Sequence, residues 1–82
     1  MTQEEVRTLK VGDLVTWKDP DTGATTLEVV VENGCSPKII HVQLRTIAVI
    51  KNVDVDDGIV EYNVGDEGFI HNHNCVNVEK IA

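Results

Sequence analysis

The sequence of 82 residues predicts an all-β domain: a small, strongly bent barrel of about five to seven short antiparallel strands, with one N-terminal helical turn. Three observations point there. The apolar residues are mostly Val and Ile, whose branched side chains pack well on a pleated surface and lose little freedom in strands. Turn-forming clusters interrupt the apolar runs every roughly 8–12 residues. The tripeptide Val-Gly-Asp opens a strand near each end, at Val11-Gly12-Asp13 and at Val64-Gly65-Asp66.

In chain order, Thr2-Gln3-Glu4-Glu5 fits a capping box, and Val6 and Leu9 share one helical face, so a single turn that plugs one end of the barrel is expected. Lys10 to Lys18 is the first strand region. It bends at Gly12-Asp13, then sets Val15 and Trp17 on one face, with Trp17 expected to fill much of the core. Asp19-Pro20-Asp21-Thr22-Gly23 is a turn by composition. Thr25 to Glu32 is the second strand, with Leu27, Val29 and Val31 on one face. Asn33-Gly34 announces a hairpin, lengthened by Cys35-Ser36-Pro37. Ile39 to Val53 reads as two strands, or as one bent sharply near Arg45-Thr46, with Ile40, Val42 and Leu44 facing one way. Asp57-Gly58 marks the next hairpin turn, and Ile59 to Val64 the following strand. The stretch Val64 to Ile70 leads to a hairpin tip at His71-Asn72-His73-Asn74 and a last strand from Cys75 to Ile81. The length fits one domain over residues 1–82, with no linker or low-complexity segment.

Charge separates the function classes. The net charge is −7, and the seven basic residues, Arg7, Lys10, Lys18, Lys38, Arg45, Lys51 and Lys80, are scattered. Phosphate backbones are held by clustered Lys and Arg, so nucleic-acid and anionic-membrane partners are disfavoured. No stretch reaches the roughly 18 apolar residues of a membrane-spanning helix, and Met1-Thr2-Gln3-Glu4-Glu5 does not look like a signal peptide. A cytoplasmic protein with Cys35 and Cys75 as free thiols is expected.

In Val64-Gly65-Asp66-Glu67-Gly68-Phe69-Ile70 the glycines let the chain turn and begin a curved strand, with Gly68 expected to leave room for another backbone. Together with Val76-Asn77-Val78-Glu79-Lys80-Ile81 and Val11-Gly12-Asp13-Leu14-Val15, this pattern resembles small SH3-like barrels, including the KOW type. The resemblance covers roughly a third of the chain and implies a fold. KOW modules tend to be basic and commonly contact RNA or the transcription machinery, and the acidic charge here removes that inference.

Several groups of residues are candidate sites. From Val53 to Glu67 there are six carboxylates and no Lys or Arg: Asp54, Asp56, Asp57, Glu61, Asp66 and Glu67. Gathered on one face, they would steer a basic partner surface; dispersed, they serve solubility. His71, His73 and Cys75 would project from one face of a continuous strand and could offer Zn²⁺ two imidazoles and a thiolate, with Cys35 or His41 as a fourth ligand. A hairpin tip would scatter them. Neither aspartate run completes a calcium loop, since Val30 and Gly65 occupy its twelfth position. No nucleophile elbow, phosphate loop or dinucleotide fingerprint is present, so neither an enzyme nor a cofactor is expected.

The function expected is a small acidic protein–protein interaction module or accessory subunit with a protein partner of unknown identity. Alternatives are a phosphate-mimicking inhibitor of a nucleic-acid-binding protein and a small metal-binding module. Trp17, Tyr62 and Phe69 are the aromatic residues able to anchor a partner, two or more of them expected in the core. An open edge strand is compatible with a homodimer.

Overall fold

The structure, a computed structural model, describes residues 1–51, 53–55, 58–60 and 62–81, the two short middle segments by their backbone pairing. In chain order the elements are α1 (Gln3–Arg7), β1 (Leu14–Lys18), β2 (Thr25–Asn33), β3 (Val42–Lys51), β4 (Val53–Val55), β5 (Gly58–Val60), β6 (Glu67–Ile70), a 3-10 turn (Cys75–Asn77) and β7 (Val78–Lys80). Five strands form one antiparallel sheet in the order β6-β3-β2-β1-β7, and β4 and β5 form a separate antiparallel pair. The fold is all-β with one N-terminal helical turn, as the β-branched composition predicts.

The two Val-Gly-Asp tripeptides build the same turn twice. Asp13 N–H donates to the Lys10 carbonyl at 2.9 Å and Asp66 N–H to the Asn63 carbonyl at 3.1 Å. Gly12 and Gly65 both have φ +94°, as the third residue of a type II turn requires. Each aspartate then clamps its turn: Asp13 accepts from Lys10 N–H and Asp66 from Asn63 N–H, both at 2.9 Å. Both turns also exchange paired backbone bonds with the neighbouring strand, Gly12 and Asp13 with Val30, Gly65 and Asp66 with Thr46. Repeated sequence here means repeated geometry, and it sets the register of β1 on β2 and of β6 on β3.

Strand β3 is one continuous element. Pairing with β2 skips Ile47 and Ile50 on β3 and Val31 on β2. Each skip leaves a residue unpaired, and such bulges bend a strand and increase its twist. The expected bend therefore occurs as a bulge at Ile47, one residue beyond Thr46.

The core holds Val6, Leu9, Val15, Val30, Ile40, Val42, Leu44, Ile70, Cys75 and Val78, all buried. Val6 of α1 and Leu9, two residues past its end, cover the apolar part of the inner face. Its start is fixed by the capping box: Glu5 N–H donates to Thr2 Oγ1 and Thr2 N–H to Glu5 Oε1. That pairing holds the Glu5 carboxyl below its usual range. Beyond the helix, Asn33 donates to the carbonyls of Arg7 and Leu9 at 3.2 and 2.8 Å, tying α1 to the end of β2.

Some local expectations change. On strand β2 Leu27, Val29 and Val31 share a face as expected, but it is the half-buried one, and Thr26, Glu28 and Val30 are buried on the other. The Asn33-Gly34 hairpin has the lengthened connection expected: neither residue has a positive φ, and Gly34 N–H pairs with the His41 carbonyl across the longer loop. In the β4–β5 pair Gly58 pairs with Val55 and so begins a strand; residues 56 and 57 of the expected turn lie outside the described residues. The last strand region splits into the 3-10 turn and a three-residue β7.

Candidate functional site

The inner face of the sheet has two halves. Around Val42 and Ile70, which face each other across β3 and β6, it is apolar and covered by α1. Toward the other end the register sets Val15 opposite Glu28, Glu28 opposite Thr46, and Trp17 opposite Thr26. Here buried positions carry hydroxyls and a carboxylate, and a cleft of about 450 Å³ opens over them.

Glu28 is the anomaly. It lies within a strand at 5% exposure, and its Oε2, like Thr26 Oγ1, has no hydrogen-bond partner among the described residues. Burial pushes its carboxyl above the usual range. The Thr46 and Thr26 hydroxyls oppose that shift, and the neighbouring Asp66 carboxylate adds to it. A buried polar atom left unpaired costs about 1–3 kcal/mol, and a charged one more.

The aromatic residues are placed differently from expectation. Trp17 is half-buried and packs against the core from its edge, Tyr62 is half-buried, and Phe69 is 42% exposed. All three line the cleft, so the chain's one Trp, one Tyr and one Phe converge on one place. The Tyr62 hydroxyl donates to Asp19 Oδ2, and Asp19 in turn accepts from Asp21 N–H, anchoring the cleft to the β1–β2 turn. The bond to Tyr62 holds the Asp19 carboxyl below its usual range. Burial first, and then that bond, push the Tyr62 hydroxyl up to about 12.

Gly68 lies on β6 opposite the buried Leu44, so its missing side chain faces the cleft. A Cβ there would meet nothing within 4 Å. Among the described residues no second backbone comes within 4 Å of that position, contrary to expectation. Its absent side chain keeps the cleft open.

Of the acidic candidates, Asp54, Asp56, Asp57 and Glu61 have side chains outside the described residues. Asp66 clamps its turn and lines the cleft beside Glu67, which pairs with the exposed Arg45 at 3.3 Å. The stretch His71 to Cys75 is no continuous strand. β6 ends at Ile70, and the asparagines hold a turn: Asn74 Oδ1 accepts from His71 N–H at 2.7 Å and Asn72 Oδ1 from Ile40 N–H at 2.8 Å. Cys75 is buried, and its thiol donates to the His71 carbonyl. Burial pushes that thiol up. The His71 and His73 rings stack on each other with centroids 5.9 Å apart, and His41 stacks on Phe69 at 5.0 Å. Among the described residues no three His, Cys, Asp or Glu gather as metal ligands. Cys35 and Cys75 are free thiols. Among the described residues no helix is long and apolar enough to cross a membrane.

No protein-family model, no curated protein and no solved structure matches the chain.

Proposed function

We propose that this chain is a small protein–protein interaction module that docks its partner over the cleft. The observation that carries this reading is the convergence of Trp17, Tyr62 and Phe69 on one cleft in a chain with no other Trp, Tyr or Phe. A domain with a narrow stability margin gains most by burying such rings, and binding energy at interfaces concentrates on aromatic anchors. The return of β7 to the side of β1, at the opposite margin from β6, supports treating the fold as an SH3-like barrel. The acidic charge favours a basic partner surface.

The test is affinity capture from the native cell with wild-type protein and with Phe69→Ala. The partner is then identified and the complex rebuilt from purified components. A partner held through the cleft is lost with Phe69→Ala while the variant keeps its fold. A complex that binds both proteins equally refutes the cleft as the docking site. A salt titration of the rebuilt complex separates apolar anchoring, which is weakly salt-dependent, from phosphate mimicry, which weakens steeply.

A further inference from the structure

We propose that the cleft is a receptor for one organic cation, the ammonium or guanidinium end of a Lys or Arg side chain presented by an extended segment of the partner, with Glu28 as its counter-ion. This deepens the reading of the cleft as a protein-docking site and rests on it.

Four features of the cleft carry the inference. The first is the unpaired pair of acceptors, Glu28 Oε2 and Thr26 Oγ1, both buried and both at residues lining the cleft. A donor entering from outside would complete both. The second is charge. The neighbouring charge acting on Glu28 is Asp66, of the same sign; Glu67 also lines the cleft but is paired with Arg45, and no Lys or Arg is among the lining residues. The third is the aromatic lining: Trp17, Tyr62 and Phe69 all border the same space, the Phe69 ring being stacked on His41. A cation within about 6 Å of an aromatic face gains attraction that strengthens when water is excluded. The fourth is size: about 450 Å³ is room for a long flexible side chain rather than a bare ion.

A divalent metal fits less well. Calcium takes about six to eight oxygens, and among the described residues no cluster of three ligating side chains exists. A peptide source is favoured over a free amine by the position of the cleft beside β6. That strand pairs with β3 on one side and with no described strand on the other. An extended segment added along a free edge sends alternate side chains to the inner face. Gly68, on β6 with its open Cβ position, lines the same cleft as Glu28 and adds no side chain on the edge side.

The experiment titrates the purified protein with N-acetyl-lysine methylamide, N-acetyl-arginine methylamide, the neutral leucine analogue, a free aliphatic diamine and calcium chloride. Binding is read from amide shifts and from the Trp17 indole N–H, which is unambiguous because Trp17 is the sole tryptophan. The expected result is saturable, millimolar binding of the blocked lysine or arginine with shifts centred on Trp17, Thr26 and Gly68. Glu28→Gln should weaken it at least ten-fold, and Gly68→Val, which adds bulk at an open Cβ position, should do the same. Glu79→Gln, an equal charge loss on β7, should leave it unchanged. Equal binding of the leucine analogue, or cation binding that survives Glu28→Gln in a folded variant, overturns the proposal. Saturable binding of the diamine or calcium alone overturns the peptide source. Capture that depends on Phe69 together with no binding of either blocked amino acid would leave the docking site standing and sink the cation pocket, so the two failures are distinguishable.

Discussion

Gly12→Ala and Gly65→Ala should have the same cost, and that equality tests whether the two Val-Gly-Asp turns are one device used twice. Both glycines have φ +94°, a conformation that costs a residue with a Cβ about 1–2 kcal/mol. An ideal Cβ at either position meets nothing within 4 Å, so no clash adds to the backbone term. The paired bonds to Val30 and Thr46 prevent the turn from relaxing without loss of register. In a domain of this size each kcal/mol moves the melting temperature by about 4–8 °C, so each variant should melt roughly 4–16 °C lower. The control is Gly68→Ala. Its φ lies outside the left-handed region and its Cβ position is open, so relief of the glycine entropy cost should stabilise it by about 0.5–1 kcal/mol. Urea unfolding followed by Trp17 fluorescence measures all three, with an unchanged slope confirming that stability alone moved. A Gly65→Ala variant within about 0.5 kcal/mol of wild type, the range of an ordinary surface change, would refute the turn assignment. So would a loss at Gly68 equal to that at Gly65.

Three further outcomes are expected. Because burial raises the Glu28 carboxyl above its ordinary value of 4.5, the native state holds that proton more tightly than the unfolded chain. Its contribution is full below that value and declines as pH rises through the raised one, so Glu28→Gln should gain on wild type between about pH 4 and about pH 7 in urea midpoints. A constant gap would mean that Glu28 is satisfied in the fold. Tyr62 is the sole tyrosine, so tyrosinate absorbance titrates it alone, and its midpoint should lie at about 12 and fall in Asp19→Asn. Stability should accordingly drop from pH 10 upward, an effect absent from Tyr62→Phe. Asn33→Ala removes two bonds to the end of α1 and should cost about 1–3 kcal/mol by thermal unfolding, with the helix signal lost first.

The strands, the end-capping helix and both Val-Gly-Asp turns were legible because each rests on local chemistry: branched side chains, a capping box, glycine before aspartate. The inner face of β2 was not. Alternation alone puts Leu27, Val29 and Val31 on one face without deciding which face meets the core. The register of β1 and the Ile47 bulge select Thr26-Glu28-Val30, and both are long-range facts. Trp17 was assigned to the core by size, whereas its place opposite Thr26 leaves it at the rim of the polar half. The asparagines of the His71 to Cys75 stretch mark a turn, and the structure uses them as turn clamps, but it is not the hairpin tip expected, because β6 and β7 lie at opposite margins of the sheet and do not pair. The cleft was beyond local reading, since its walls come from four separate segments. One sign was available: a glutamate flanked at alternate positions by Thr26 and Val30 has no business on a solvent face if Val30 is core.

The placement of Glu28 is also an argument about stability. A chain this short buries only about 60–65% of its unfolded surface, so its margin is small. Apolar residues at 26, 28 and 46 would extend the core across the whole inner face and remove two unpaired acceptors. Such sites are easily improved for stability, and they persist where activity depends on the strained arrangement. The local architecture is arranged to keep the site open as well: the bulge at Ile47 adjoins Thr46, and Gly68 stands where any larger residue would occupy the cleft. Glu28→Met is therefore the sharpest single separation of the two demands on this chain. It should raise thermal stability while it abolishes cation binding, and a variant that loses stability instead would mean the carboxylate belongs to the scaffold rather than to a site.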